Sequence, residues 1–266
     1  MFSKEELFAQ LRAMNAPRDS IVLMHASFRT VGEVEGGAEA FLDAMIEYFT
    51  AQGGLFILPT HTWNNLKKDR ITLDMLNPES NLGVLPTLAA KRTDGIRSEN
   101  PCHSVVVFGD RTRATALAEC DKYIETPVAA NSVYGKLYER AGFVLLVGVS
   151  QSKNTYLHTV DEILNIPDRM DDTPMITTVR RQNGEIVERP LRLFKCSTTD
   201  DISDRFPKYD TAFRYHHAIT DGWLGNAPVQ LCDAVKMKQT VELIFSRSEG
   251  KDPLGNERPI PPKWFA

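Results

Sequence analysis

A histidine and two carboxylates lie close together in the stretch NTYLHTVDEILN, residues 154–165. Apolar residues recur here at helical spacing, so His158 and Asp161 would share one side of a helix, with Glu162 as the next neighbour. A carboxylate that binds one imidazole nitrogen makes the other nitrogen a better base. The segment therefore predicts half of a general-base arrangement. An ordinary solvated helix face is the alternative.

The sequence gives less support to a metal centre or a serine-hydrolase centre. The chain has no H-x-x-x-H or H-E-x-x-H pair, so a metal site would require His25, His61 and His103 to converge in space, and we expect no metal. The stretch GVSQS resembles the G-x-S-x-G elbow of acyl hydrolases, but Ser152 stands where the closing glycine belongs. A serine esterase or amidase that uses Ser150 stays open as an alternative.

A glycine pair begins a predicted helix after the first strand, in SFRTVGEVEGGAEAF. Gly36 and Gly37 would let backbone N–H groups approach a phosphate closely, and the helix dipole would add attraction. The pattern is neither G-x-G-x-x-G nor a Walker loop, so a dinucleotide or nucleoside triphosphate is not indicated. The loop predicts either a site for another phosphate-bearing ligand or a plain tight turn.

Three buried strands are predicted to position these groups: SIVLMHAS, LFILPTHTW and GFVLLVGV. Each strand stops at a polar cluster. Because ligands of open α/β sheets bind beyond the carboxyl ends of the strands, the three clusters predict one shared site.

The fold class expected is α/β, with a central mixed sheet, flanking helices and an antiparallel C-terminal hairpin region. The hairpin is predicted around Asn183 and Gly184, since Asn-Gly is the strongest two-residue turn signal. No linker of Ser, Gly and Pro separates the halves. We therefore expect a single domain over 1–266, with a C-terminal elaboration at 175–266.

Composition limits the partners. A formal net charge of −4, with no arginine-rich cluster, argues against nucleic acid. No apolar run approaches the ~20 residues that cross a bilayer, and the N-terminal stretch SKEELFAQLRAMN has a capping-box start typical of a helix. The four cysteines, including Cys196, form no C-x-x-C pair. We expect a cytoplasmic protein with reduced thiols and no membrane partner.

Four segments in order resemble the aminoglycoside 3-N-acetyltransferase family, also called the antibiotic N-acetyltransferase family. They are VLMHASFRTVGEVEGGAEAFLDAM, GGLFILPTHTW, NPCHSVVVFGDR and SVYGKLYERAGFVLLVGVSQSKNTYLHTVDE. The first resembles the family's H-S-S-L…G…GGA opening, and the last its N-T-x-L-H-x-x-E run. The resemblance covers roughly residues 20–165.

The resemblance implies transfer of an acetyl group from acetyl-coenzyme A to a small-molecule amine, without a covalent enzyme intermediate. It makes His158 the general base, puts Asp161 where the family has an orienting glutamate, with Glu162 as the spare, and places Thr62 near the thioester or the amine. The residues it assigns to the coenzyme are Ser27, Phe28, Arg29, Thr30, Val31, Gly32, Gly36, Gly37, His103 and Ser104.

The acceptor is less well defined by the sequence. The run TTDDISDRFPKYD offers Asp200, Asp201 and Asp204, of which we expect Asp201 and Asp204 to bind the acceptor; a solvated acidic loop is the alternative. The chain departs from the family in SVYGKLYE, where a proline is usual, and in THTWNN, which lacks an acid soon after its histidine. The amine is thus an aminoglycoside or another amine. A non-catalytic coenzyme A-binding member and a homodimer also stay open.

Overall fold

A central mixed sheet forms the body of the protein. The computed structural model describes residues 1–67, 70–195, 201–256 and 258–266, without the side chain of Lys67. The strands of the central sheet are β1 (Ile21–Ala26), β2 (Leu55–Pro59), β4 (Ile96–Arg97), β5 (Val105–Phe108), β6 (Phe143–Val147), β9 (Ile219–Leu224) and β10 (Ala227–Asp233). Their order is β4-β5-β2-β1-β6-β10-β9. β1 runs parallel to both β2 and β6, while the outer neighbours pair antiparallel.

Helices cover both faces of this sheet, which confirms the predicted α/β class. The helices are α1 (Lys4–Ala13), α2 (Phe28–Val31), α3 (Gly37–Thr50), α4 (Val84–Lys91), α5 (Arg111–Ala118), α6 (Val133–Glu139), α7 (Tyr156–Ile163), α8 (Asp210–Tyr215) and α9 (Ala234–Arg247). α1 begins at the predicted capping box, in which Ser3 accepts from the Glu6 N–H and Glu6 accepts from the Ser3 N–H.

Alternation along the central strands explains the two-sided core. In β1, Ile21 and Leu23 pack with α5 to α9, whereas Val22 and Met24 pack on the other face with α1, α3 and α4. Each of these four side chains is at most 4% exposed. Burying such a side chain stabilises the fold by about 1.5–3 kcal/mol. Because both faces of these strands are buried, their sequences are continuous apolar runs.

A smaller sheet of three strands contains the predicted C-terminal hairpin. It consists of β3 (Leu73–Asp74), β7 (Met175–Arg180) and β8 (Ile186–Leu191). β7 and β8 pair antiparallel around Asn183 and Gly184, as expected, and β3 adds to β7 in parallel. The turn is longer than the two residues that Asn-Gly favours, because the N–H of Arg181 donates to the carbonyl of Glu185 and Gly184 takes a left-handed φ of 83°.

Candidate active site

A cavity of about 930 Å³ opens at the carboxyl ends of β1, β2 and β6. The polar clusters that follow these three strands meet there, since parallel strands end at the same edge of a sheet. Ser27 follows β1, His61 follows β2, and Ser152 to Thr155 follow β6; all of them line the cavity. His158 in α7 lines it as well. Residues from the loop before α4 and from both ends of the β7–β8 hairpin complete the walls.

Two aromatic rings hold His158 in this cavity. Phe194 stacks on the imidazole with the ring centroids 4.1 Å apart and the planes 25° from parallel, and Phe206 approaches edge-on at 4.8 Å. Burial lowers the pKa of His158 to about 4, because the low-dielectric surroundings disfavour the imidazolium. The imidazole is therefore neutral at pH 7, the form that a general base requires.

The two predicted carboxylate partners of His158 are bonded elsewhere. Asp161 is 1% exposed, and its Oδ2 accepts from the Nε of Arg169 at 2.7 Å. Arg169 also makes a two-pronged ion pair with Asp252. Glu162 accepts from the hydroxyl of Thr126 at 2.6 Å. No hydrogen bond joins His158 to another side chain within the ranges that the structure describes. The expected pairing of His158 with Asp161 or Glu162 is therefore not formed, although both lie three or four residues along the same helix.

Asp201 is the carboxylate whose charge acts on His158. It lines the same cavity, is exposed, and accepts from the N–H of Ser203 at the start of a 3₁₀ helix, Ile202–Tyr209. Its negative charge favours the imidazolium and so opposes the fall that burial causes in the pKa of His158. Asp204 lies one turn further along this helix and does not line the cavity. Asp200 lies outside the described residues.

Three more histidines form the floor of the cavity, and the buried residue Tyr134 contacts one of them from behind. The rings of His61 and His103 lie 4.4 Å apart, and Nε2 of His61 is 2.8 Å from the hydroxyl of Tyr134. Burial lowers the pKa of His25 and of His103 to about 3 each, and holds that of His61 well below its ordinary value. The floor is thus polar and uncharged. Among the described residues no group of three or more His, Cys, Asp or Glu is arranged to hold a metal ion.

The residues that the family resemblance assigns to the coenzyme are only partly at the cavity. Ser27 and His103 line it. Ser104 is fully buried, and its hydroxyl donates to the carbonyl of Thr60. Thr62, expected near the reacting groups, is also fully buried and donates to the carbonyl of Pro101 at 3.0 Å. The remainder lie along α2 and the start of α3, outside the cavity lining: Phe28, Arg29, Thr30, Val31, Gly32, Gly36 and Gly37.

Ser150 and the cavity-lining Cys102 have no activating partner in the described part of the chain. Ser150 is exposed and its hydroxyl bonds that of Ser152 at 2.9 Å. Cys102 lines the cavity, but burial raises its pKa to about 12, so it remains a thiol. Cys196 lies outside the described residues. Covalent catalysis requires a nucleophile that is hydrogen-bonded to a base, and neither Ser150 nor Cys102 has such a partner among the described residues.

The comparison with known proteins agrees with this architecture. A family profile described as aminoglycoside 3-N-acetyltransferase matches residues 23–246. A prophage-derived aminoglycoside N(3')-acetyltransferase-like protein, YokD of Bacillus subtilis, is 23% identical over 271 residues, which cover 94% of each chain.

Two solved structures share the fold. A mutant of the aminoglycoside acetyltransferase AAC(3)-IVa in complex with gentamicin superposes with a TM-score of 0.77 at 22% identity, covering 93% of this chain and 90% of that one. AAC-IIIb bound to coenzyme A superposes with a TM-score of 0.76 at 22% identity, covering 93% and 97%. No helix among the described residues is long and apolar enough to cross a membrane.

Proposed function

Because the chain belongs to the aminoglycoside 3-N-acetyltransferase family and is therefore an acyltransferase, we propose that it moves an acetyl group from acetyl-coenzyme A to a small-molecule amine, with His158 as the general base. The observation that carries this proposal is a neutral imidazole at the cavity where three strand ends meet. The acceptor, an ammonium at pH 7, first gives one proton to water so that its nitrogen has a lone pair. That nitrogen attacks the thioester carbonyl while His158 takes a second proton from it. Collapse of the tetrahedral intermediate releases coenzyme A, whose thiolate recovers that proton from the imidazolium.

The donor enters from the side that carries positive charge. Lys153 is the one lysine or arginine among the described residues that line the cavity, and it follows β6 on the same edge as Ser27. A cation there attracts the phosphates of a coenzyme, and a structural relative binds coenzyme A. In this proposal Ser27 and His103, which line the cavity, contact the coenzyme, the segment from Phe28 to Gly37 continues from Ser27 outside the lining, and buried Ser104 acts through its bond to the carbonyl of Thr60.

The acceptor enters beside Asp201. An ammonium group is attracted to this exposed carboxylate, which lines the cavity together with His158. Asp204 would extend the negative surface, and Thr62 would act through its contact with Pro101 rather than by touching the amine. Gentamicin bound to a relative supports an amine as acceptor. Direct attack fits this cavity better than an acyl-enzyme, since Cys102 is a thiol and Ser150 has no imidazole partner in the described ranges.

The first test replaces the base. We expect His158→Ala to lower kcat by about 100-fold or more, since positioned proton transfer contributes at least that much. The Kd for coenzyme A should stay within about twofold, because the donor contacts lie on the strand ends rather than on α7. Thiol release measures the reaction, and isothermal calorimetry measures coenzyme binding.

The matched control is His217→Asn. His217 is exposed, lies after α8 and has a left-handed φ of 53°, which asparagine tolerates. This variant should keep wild-type kcat. Full activity in His158→Ala would show that another group takes the proton.

A further inference from the structure

Three side-chain amides form a hydrogen-bonded chain from the start of α7 to the start of α8. The oxygen of Asn154 accepts from the backbone N–H of Tyr156 at 3.2 Å, and its nitrogen donates to the oxygen of Gln151 at 2.8 Å. The nitrogen of Gln151 donates to the oxygen of Gln230 at 2.9 Å. The nitrogen of Gln230 donates to Oδ2 of Asp210, the first residue of α8, at 3.5 Å. We call Asn154, Gln151 and Gln230 the amide chain.

The two ends of the amide chain fix the direction of every bond in it. A backbone N–H can only donate, and an ionised carboxylate can only accept. The N–H of Tyr156 therefore takes the oxygen of Asn154 and leaves its nitrogen for the next amide. The same choice repeats along the chain until the last nitrogen reaches the carboxylate of Asp210. Because all four bonds point the same way, each polarises the next and strengthens it.

The middle of the amide chain is shielded from water. Gln151 is fully buried and Asn154 is 1% exposed. The nitrogen of Gln151 also lies 3.4 Å from Sγ of Cys232, a residue of β10. A buried amide that loses its partner finds no water to replace it, so a broken link carries the full cost of desolvation. The loop between β6 and α7 is therefore held in one arrangement.

This loop carries groups on which the proposed reaction depends. Lys153 and Asn154 line the cavity, and the N–H that Asn154 accepts belongs to Tyr156, the first residue of α7. His158 follows in the first turn of that helix. At the other end, Gln230 belongs to β10, which pairs with β6 along its whole length. The amide chain thus ties the beginning of α7 to the central sheet.

We propose that Gln151 and Asn154 are positioning residues, which hold His158 and Lys153 in place for the transfer. This inference rests on the proposed acetyl transfer. Gln151 lies behind the cavity lining, and both polar atoms of Asn154 are engaged in the amide chain, so the two act through the backbone of the loop. A displacement of about 1 Å in a reacting group can lower the rate about 100-fold.

The test reverses one link of the amide chain without changing its size. In Gln151→Glu the new carboxylate faces the oxygen of Gln230. Gln230 can turn over and donate to that carboxylate, but it then presents its oxygen to Asp210. No arrangement satisfies both carboxylates at pH 8. We expect kcat to fall about tenfold or more and the KM for acetyl-coenzyme A to rise about threefold or more.

A second substitution should repair the first. In the double variant Gln151→Glu, Asp210→Asn, the turned-over amide of Gln230 donates to the new carboxylate and accepts from the new asparagine. All four bonds return with the net charge of the wild type, and kcat should return to within about twofold of it. Asp210→Asn alone keeps its bond through the asparagine oxygen, so kcat should fall less than about threefold.

Gln10→Glu is the matched control. Gln10 is half-buried, and its side chain donates to the carbonyl of Gly225 and accepts from the N–H of the same residue. Neither residue lines the cavity. The substitution removes one hydrogen-bond donor and should lower Tm, while kcat and the KM for acetyl-coenzyme A stay at their wild-type values.

Gln230→Met covers the case in which Gln151→Glu does not fold. It removes a link of similar volume from a half-buried site and adds no charge. We expect a folded protein with kcat lowered about threefold or more. Unchanged kcat in Gln230→Met, or in folded Gln151→Glu, overturns the positioning role. A folded double variant that stays as slow as Gln151→Glu overturns it as well.

Two readouts separate this inference from the proposed function. Calorimetry gives the Kd for coenzyme A, and NMR gives the ring-proton signals of His158, and neither requires turnover. Suppose that no amine is acetylated by the wild type, yet Gln151→Glu shifts these signals and weakens coenzyme A, and Asp210→Asn restores both. The positioning role then stands and the acetyl transfer fails. Acetylation by the wild type with both readouts unmoved in Gln151→Glu would have the opposite meaning.

Discussion

At the residue scale, the sequence predicts that His158 lies at the candidate site, but it does not predict which residues surround the ring. The family motif and the helical spacing identify the imidazole. Spacing also predicts Asp161 as its partner, yet Arg169 lies within bonding distance and a buried ion pair outcompetes a neutral ring for that carboxylate. Phe194 and Phe206 come from segments far along the chain, so no local pattern indicates that they contact His158.

The protonation state of His158 tests this account directly. Because burial lowers its pKa to about 4, the imidazole should stay neutral when the pH falls from 8 to 5.5. Asp201→Asn should lower the pKa further, since the carboxylate favours the charged form of the ring. The measurement is an NMR titration of the histidine ring protons, with His158→Gln assigning the signal. Protonation near pH 6.5 would contradict burial as the dominant effect.

At the element scale, one buried ion-pair network anchors α7. Arg169, 7% exposed, joins Asp161 in that helix to Asp252 near the C-terminus. The neighbouring carboxylates raise the pKa of the guanidinium although burial opposes them, so Arg169 is charged throughout the accessible pH range. Asp161 thereby holds α7, the helix that carries His158, in place. It supports His158 through the fold and not through a hydrogen bond to the ring.

Arg169→Met should therefore destabilise the protein. Removing one partner leaves Asp161 buried with no cation, which costs about 3–5 kcal/mol in the free energy of unfolding. Urea unfolding measures this loss. The loss should be smaller at pH 5 than at pH 8, because Asp161, whose pKa burial already raises to about 6, can then take up a proton.

The control for this network is Asp168→Asn. Asp168 pairs with Lys195 but is 84% exposed, so its loss should cost less than about 1 kcal/mol. Asparagine also tolerates its left-handed φ of 61°. Equal losses in Arg169→Met and Asp168→Asn would mean that burial of the network contributes nothing to the stability of α7.

Some elements could be predicted from their own residues, and others depend on contacts with distant parts of the chain. β1, β2 and β6 are continuous apolar runs and could be predicted, as could the hairpin around Gly184. β3 has two residues and pairs with β7, more than 100 residues further on, so no periodicity reveals it. The length of the hairpin turn depends on the Arg181 to Glu185 hydrogen bond, which an Asn-Gly pair does not specify.

At the scale of the whole molecule, the cavity lies where the central sheet meets the smaller one. Strand ends of the central sheet contribute Ser27 and Lys153, whereas the hairpin and the chain after it contribute Met175 and Phe194. The sequence predicts the first set, because parallel strands share an edge. It does not predict the second, because the docking of a hairpin on a distant sheet depends on long-range packing.

Binding of the donor to the strand-end residues Ser27 and Lys153 should stabilise the whole fold. Coenzyme A at about 100 times its Kd adds about 2.7 kcal/mol to the free energy of unfolding. For a chain of this size that corresponds to a rise in Tm of roughly 5–10 °C, measured by differential scanning fluorimetry. Lys153→Ala should reduce the rise at the same concentration, and added salt should reduce the difference by screening. Lys122→Ala, which breaks a pair with Glu119 away from the cavity, should keep the full rise. No rise in the wild type would contradict coenzyme binding, whereas a full rise in Lys153→Ala would place the phosphates elsewhere.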